Sequence, residues 1–198
     1  MRKFNPLAGL AVLSLCAATS VLADGHAQGW TLEPTLSNVS FGSIKNDYTG
    51  ESHTFTKISG AVSAEGMATV TLNLGSVETL IDIRNARMAE FVFRNAPEAT
   101  ITAEIDMSEV NGLAVGEATT LETYGTLALL GVENELDANL FVMRLSEDRV
   151  LVSTNGMVML STEDAQIDAG IDKLQELASL DSITRVSPVT LRLVFDAD

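Results

Sequence analysis

Residues 71–93 read TLNLGSVETLIDIRNARMAEFVF, and two periodicities meet in them. At the start, Val70, Leu72 and Leu74 alternate with Thr69, Thr71 and Asn73. A period of two with one polar face predicts a strand whose other face is buried. Ile81, Arg84, Met88 and Phe91 then fall at helical spacing, which predicts a short helix running into the apolar run Phe91-Val92-Phe93. The segment also carries Arg84 and Arg87, with Arg94 just past its end, in a chain with 12 lysines and arginines against 27 acidic residues. So few cations placed so close together mark the helix as a candidate binding element.

The strand pattern spreads outward from this segment. Ile101, Ala103 and Ile105 alternate with Thr100, Thr102 and Glu104. Leu136, Ala138, Leu140 and Val142 alternate with Glu135, Asp137 and Asn139, and Val189, Leu191, Leu193 and Phe195 with Thr190 and Arg192. Turn chemistry separates the runs at Tyr48-Thr49-Gly50, Glu65-Gly66, Asn111-Gly112, Gly131-Val132-Glu133-Asn134 and Asn155-Gly156. Short, regular spacing predicts hairpins following one another. Near the C-terminus Ile167, Ile171, Leu174 and Ala178 form one stripe of an amphipathic helix, with Ser161 and Asp164 placed as a capping box before it. A mainly β chain of about eight antiparallel strands with one or two short helices suits an up-and-down barrel, which leaves no exposed edge.

The first residues carry a different message. Arg2 and Lys3 precede an apolar run from Leu7 to Leu15, and Val21-Leu22-Ala23 ends in a small residue. This predicts a signal peptide over residues 1–23, one domain over residues 24–198, and a periplasmic address. Cleavage there removes Cys16, the only cysteine, so neither a disulfide nor a thiolate is expected in the exported domain. The net charge is −15, and loss of Arg2 and Lys3 makes it more negative still. Such a surface repels nucleic acid.

Catalytic constellations are scarce. The two histidines, His26 and His53, do not supply a three-histidine metal site, and no cysteine is left to help them. No G-x-S-x-G and no phosphate-binding glycine loop is present. His53, beside Phe55 at a strand start, reads as a hydrogen-bonded structural histidine. Asp164, Asp168 and Asp172 recur every fourth position but lack the calcium-loop pattern, and read as a solvated helix face. No enzyme, metal or required cofactor is expected.

Motif order across the domain resembles that of the YceI-like family. Trp30-Thr31-Leu32 resembles its opening strand, and His53-Thr54-Phe55 with Ile58-Ser59-Gly60 its next hairpin. Leu74-Gly75-Ser76-Val77-Glu78-Thr79 resembles a strand end, Ile83-Arg84-Asn85-Ala86-Arg87-Met88 the following helix, and Phe91-Val92-Phe93 with Ala96-Pro97 and Ile101 the strand after it. Gly125-Thr126-Leu127-Ala128-Leu129-Leu130-Gly131-Val132 resembles a later strand. The match departs at Asn85, where an aspartate is usual, and at Ala96, where a tyrosine is frequent.

The resemblance implies a secreted lipocalin-like barrel whose cavity takes a long isoprenoid chain, either a polyisoprenoid or an isoprenoid quinone. The cavity lining it implies is Trp30, Phe41, Phe55, Val70, Leu72, Phe91, Ile101, Leu127, Leu129, Leu140 and Leu191. Arg84 and Arg87, with Arg94 nearby, are candidate head-group contacts through forked hydrogen bonds, against the simpler reading that they pair with Glu78, Asp82, Glu90 and Glu98. Transient contact with a membrane, as a monomer or a dimer, fits such a carrier. The alternative is a barrel filled by its own side chains that serves as an envelope interaction module.

Overall fold

The computed structural model describes residues 29–198. The expected signal peptide, Cys16 and His26 lie outside the described residues.

Twelve hydrogen-bonded segments build eight strands that close on themselves. The ring runs through β1 (Trp30–Leu32), β4 (Ile58–Val62), β5 (Met67–Asn73), β7 (Glu98–Glu104), β8 (Ala118–Leu129), β9 (Val132–Ser146), β10 (Arg149–Thr154) and β12 (Val186–Ala197), and pairing of β12 with β1 shuts it. Every pairing is antiparallel. The other segments prolong four of these strands toward one end. β2 (Asn38–Lys45) continues β1 along the same edge of β12, with Leu32 opposite Phe195 and Asn38 opposite Arg192. β3 (Thr49–Phe55) leads into β4, β6 (Val77–Glu78) follows β5, and β11 (Val158–Ser161) follows β10.

Each interruption has a local cause. Between β1 and β2, Pro34 has no N–H to donate to a ladder, and the Glu33 carboxylate takes up the Thr35 N–H at 2.9 Å. Between β5 and β6, a 3₁₀ turn over Leu74–Ser76 is held by the Ser76 hydroxyl donating to the Asn73 carbonyl at 2.7 Å. The same Ser76 Oγ accepts the Lys57 N–H at 3.0 Å where β3 gives way to β4. Asn155-Gly156, expected as a hairpin turn, is instead a break inside one strand, because β10 and β11 both pair with β12. The β8–β9 turn is shorter than expected: Leu130 and Gly131, at φ 54° and 81°, join Leu129 directly to Val132. Two consecutive left-handed residues match the twist of a two-residue hairpin.

The two breaks in the alternation become helical cover at the end of the barrel reached by β2, β3 and β6. α1 (Asp82–Arg87) passes into a π turn, Met88–Val92, in which the Phe93 N–H donates to the Met88 carbonyl at 2.9 Å. The C-terminal helix spans Asp168–Ala178 and packs on the π turn. Gly170 permits that approach, since a Cβ there would sit 2.5 Å from the Phe91 oxygen and 2.6 Å from Val92 Cα. The expected capping box is not at this helix. Ser161 Oγ accepts the Asp164 N–H at 3.2 Å in a turn that precedes it, while the residue flanking the helix, Ile167, gives no side-chain cap. Asp168 and Asp172 face Arg185.

At the opposite end, an unforeseen helical turn over Met107–Asn111 is capped by Asp106, which accepts the Ser108 N–H at 2.9 Å. Its Val110 carbonyl accepts from Arg144 Nη2 at 3.0 Å. Arg144, Trp30 and Val110 are all buried there and floor the barrel.

Candidate functional site

Inward-facing side chains of the eight strands leave a cavity of 580 Å³. Of the residues expected to line it, Trp30, Phe41, Phe55, Val70, Leu72, Ile101, Leu127, Leu129, Leu140 and Leu191 are all on its wall, with Arg84 and Arg87 at one end. The interior is hollow rather than filled. Phe41, Ile101, Leu121, Leu136, Val152 and Leu191 point inward yet are only half-buried, because they face open space instead of an opposing side chain. An apolar void of this size lies within the range of small-molecule sites. A barrel plugged by its own side chains is therefore not what these residues form.

Phe91 is a correction. It is not on the cavity wall; its carbonyl faces Gly170 of the C-terminal helix. A regular helix carrying Ile81, Arg84 and Met88 on one face brings Phe91 to that face too, but the π turn inserts an extra residue. Met88, Val92 and Phe93 turn inward in its place, and all three are buried. Arg94 is the second correction. It is exposed, lies past the π turn, and donates from Nη2 to the Gln166 carbonyl at 2.7 Å, away from the cavity.

The cavity reaches the surface beside α1. Ile81 and Ile83 line it and are exposed, and Leu80 at the start of this segment is 89% exposed with φ 63°. Leu174 and Ala178 of the C-terminal helix, with Leu180 and Ile183 beyond it, complete the apolar rim.

Polar groups collect just inside this opening. Arg84 does not pair with any of its acidic sequence neighbours. Its Nη1 donates to Glu51 Oε2 on β3 at 2.7 Å and its Nη2 to the Thr79 carbonyl at 2.6 Å. Lys45 of β2 binds the other Glu51 oxygen at 2.9 Å. Burial alone raises the Glu51 carboxyl, but the hydrogen bonds and charges of Arg84 and Lys45 outweigh it and hold the group below the ordinary carboxylate range. Arg87 has no hydrogen-bond or ion-pair partner among the described residues. Next along β3, His53 is buried and its Nε2 lies 3.2 Å from Ser43 Oγ. Burial, and then the charge of Arg84, lower its pKa, so the imidazole is neutral at pH 7.

Asn85 makes one contact that an aspartate in its place cannot make. Its Oδ1 accepts the Thr79 N–H at 2.8 Å and the Thr79 hydroxyl at 2.6 Å, while its Nδ2 donates to Glu78 Oε1 at 3.2 Å. An aspartate has no proton to give Glu78 and repels it.

Glu51 escapes a reading of the sequence because β3 brings it to Arg84 from more than thirty positions away, with Lys45 of β2 on its other oxygen, and Ser43 because only the β2–β3 pairing sets it beside His53. Among the described residues, no group of three or more histidine, cysteine, aspartate or glutamate side chains is placed to hold a metal.

A closed antiparallel meander around an apolar tunnel, helix-covered and polar at one end, defines a lipocalin-like barrel. A family model described as the YceI-like domain matches residues 30–191, and the chain belongs to that family. Among solved structures, a polyisoprenoid-binding domain from Saccharophagus degradans, implicated in plant cell wall breakdown, is 37% identical with a TM-score of 0.83, over 85% of this chain and 98% of that one. BcnA of Burkholderia cenocepacia is 14% identical with a TM-score of 0.59, over 82% of this chain and 98% of that one, and shares the fold. No curated protein matches the chain.

Proposed function

We propose that the protein takes the chain of an isoprenoid lipid, a polyisoprenoid or an isoprenoid quinone, out of water and holds it in the barrel, as a periplasmic carrier or store that performs no covalent step. The hollow apolar interior, open beside α1, carries this reading. The polyisoprenoid-binding domain of Saccharophagus degradans supports it, at 37% identity over nearly its whole length.

The energetics are adequate. Each buried methylene contributes about 0.8 kcal/mol, so a tail of about 20 carbons offers roughly 15 kcal/mol before the cost of association, about 4–15 kcal/mol. Fit to the tunnel then sets affinity, because an isoprenoid tail has no hydrogen bonds to offer. Of the two candidate head-group arginines, Arg84 has both terminal nitrogens engaged, whereas Arg87 stands free at the rim. Arg87 is the cation left to meet a head group outside the tunnel.

Solvent extraction of protein purified from its native host, followed by mass spectrometry, tests the reading. A prenyl lipid in stoichiometric amount is the expected result. Clean extracts from repeated preparations, with no uptake of added polyprenyl probe, overturn it.

A further inference from the structure

The tunnel opens among apolar side chains that the fold itself does not use. Leu80, Ile81 and Ile83 are 89%, 46% and 58% exposed, three large hydrophobic residues within four positions. Leu80 neither packs in the core nor lines the cavity. It also holds φ at 63°, a left-handed conformation rare for a bulky side chain. Stability does not explain an apolar residue kept in water at such a position.

The other borders of the opening match. The β2–β3 hairpin reaches the same end, where Glu51 of β3 meets Arg84 of α1, and Tyr48 in its turn is 83% exposed. That turn is tied to the segment after the C-terminal helix: the Asp181 N–H donates to Asn46 Oδ1 at 2.9 Å, and the Asn46 N–H to the Ser182 carbonyl at 3.0 Å. Leu180 and Ile183 of that segment line the mouth. Three chain segments border one opening, and each carries apolar side chains.

Contiguous exposed apolar surface marks a contact site, and the guest and the charges here specify the contact. A lipid tail resides in a bilayer, and it passes from one oily phase to another without meeting water only if the mouth touches the membrane. Leucine, isoleucine and tyrosine beside charged groups compose a segment that settles at a membrane interface. Asp47, Asp82 and Asp181 are exposed around this opening, and the chain carries a net charge of −15. An anionic leaflet repels such a face. A zwitterionic one does not, and its phosphates suit Arg87 at the rim.

Resting on the tunnel reading above, we propose that residues 80–83, with Tyr48, form a docking surface for a zwitterionic phospholipid bilayer. Leu80 enters the bilayer, and the tail crosses between membrane and tunnel beside it.

The test uses the full exported protein with phosphatidylcholine vesicles brominated in the acyl chains, which quench an indole that enters them. Trp30, the only tryptophan, is buried at the far floor and should stay bright. The emission added by Leu80→Trp should fall at least about twofold, because an interfacial side chain sits about 5–10 Å into the boundary. Leu80→Asn combined with Tyr48→Ser should weaken flotation with phosphatidylcholine vesicles at least about tenfold. Asparagine suits a left-handed backbone, so this variant keeps the fold. Transfer of a polyprenyl probe from vesicles should slow alike, while affinity for the same probe added from ethanol stays within about twofold, since neither residue lines the cavity. Absent vesicle binding by the parent, equal quenching of Trp30 and the introduced indole, unchanged flotation of the double variant, or tighter binding to phosphatidylglycerol overturns the docking surface. A parent that docks on vesicles yet takes up no probe from ethanol upholds the docking surface and overturns the tunnel reading instead.

Discussion

The guanidinium carbon of Arg144 lies 5.1 Å from the centroid of the Trp30 ring. Arg144 is 7% exposed and makes no ion pair among the described residues; it donates from Nη2 to the Val110 carbonyl at 3.0 Å and from Nη1 to the Glu147 carbonyl at 3.3 Å. One side chain therefore ties β9, the Met107–Asn111 turn and the first strand into a single floor.

Arg144→Ala removes the cation–π contact and the charged hydrogen bonds to the Val110 and Glu147 carbonyls. Each loss is worth about 1–2 kcal/mol at a buried site. Urea titration should show a destabilisation of about 2–3 kcal/mol. A variant within about 0.5 kcal/mol of the parent means that the floor does not depend on this residue.

The hollow interior predicts an unusual tolerance. Ala138 is half-buried and points into the void. In a filled core Ala138→Phe costs about 1–3 kcal/mol through overpacking; here thermal unfolding should change little. Binding of a polyprenyl probe should fall at least about tenfold, because the ring occupies the path of the tail. Strong destabilisation of the apo protein, seen by calorimetry, would argue against an empty barrel.

Stability should depend on pH through His53. Its folded pKa lies below the ordinary 6.5, so between those two values the unfolded chain binds the proton and the folded chain does not. The contribution is complete above about pH 6.5 and lost as pH falls from there toward the folded value. Glu51 adds a loss at more acid pH. Its folded pKa lies below 4.5, so its contribution is present above that value and fades as pH drops through the folded one. Midpoints of urea unfolding measured from neutral to mildly acid pH should decline in the parent and run flatter in His53→Phe. Parallel profiles would remove His53 from the account.

Gly170 sits inside a helix, where alanine normally stabilises by about 1 kcal/mol. Its contact with Phe91 and Val92 is too close for a Cβ. Gly170→Ala should therefore destabilise, by about 1 kcal/mol or more net of the helix gain. Faster amide exchange in the C-terminal helix and in residues 88–93 should accompany it. A stabilised variant would show that the two helical segments part without cost.

How legible the molecule is in its sequence depends on the range of the cause. Alternation in residues 69–74, 101–105, 136–142 and 189–195 marks the inward faces, because the pleat alone determines which side chains share a side. The helical interruption near residues 81–91 is legible too, but not the side its last turn presents: a π turn shifts the face by one residue, exchanging Phe91 for Val92 and Phe93. Strand breaks at Thr56-Lys57 and Asn155-Gly156 look like ordinary turns until their pairing partners are known. The polar group around Glu51 is the least legible, since Lys45, Glu51 and Arg84 meet only once β2, β3 and α1 share one end of the barrel.

The interrupted strands are not spread evenly around the wall. β1–β2, β3–β4, β5–β6 and β10–β11 all carry a joint, whereas β7, β8, β9 and β12 run without one, β8, β9 and β12 for 12, 15 and 12 residues. The neighbours β7, β8 and β9 thus make one continuous flank, and the jointed strands make the other, with β12 unbroken among them. Amide exchange should accordingly be faster at the joints beside Pro34, Lys57, Gly75 and Gly156 than along the long β8–β9 hairpin, whose ladder is unbroken.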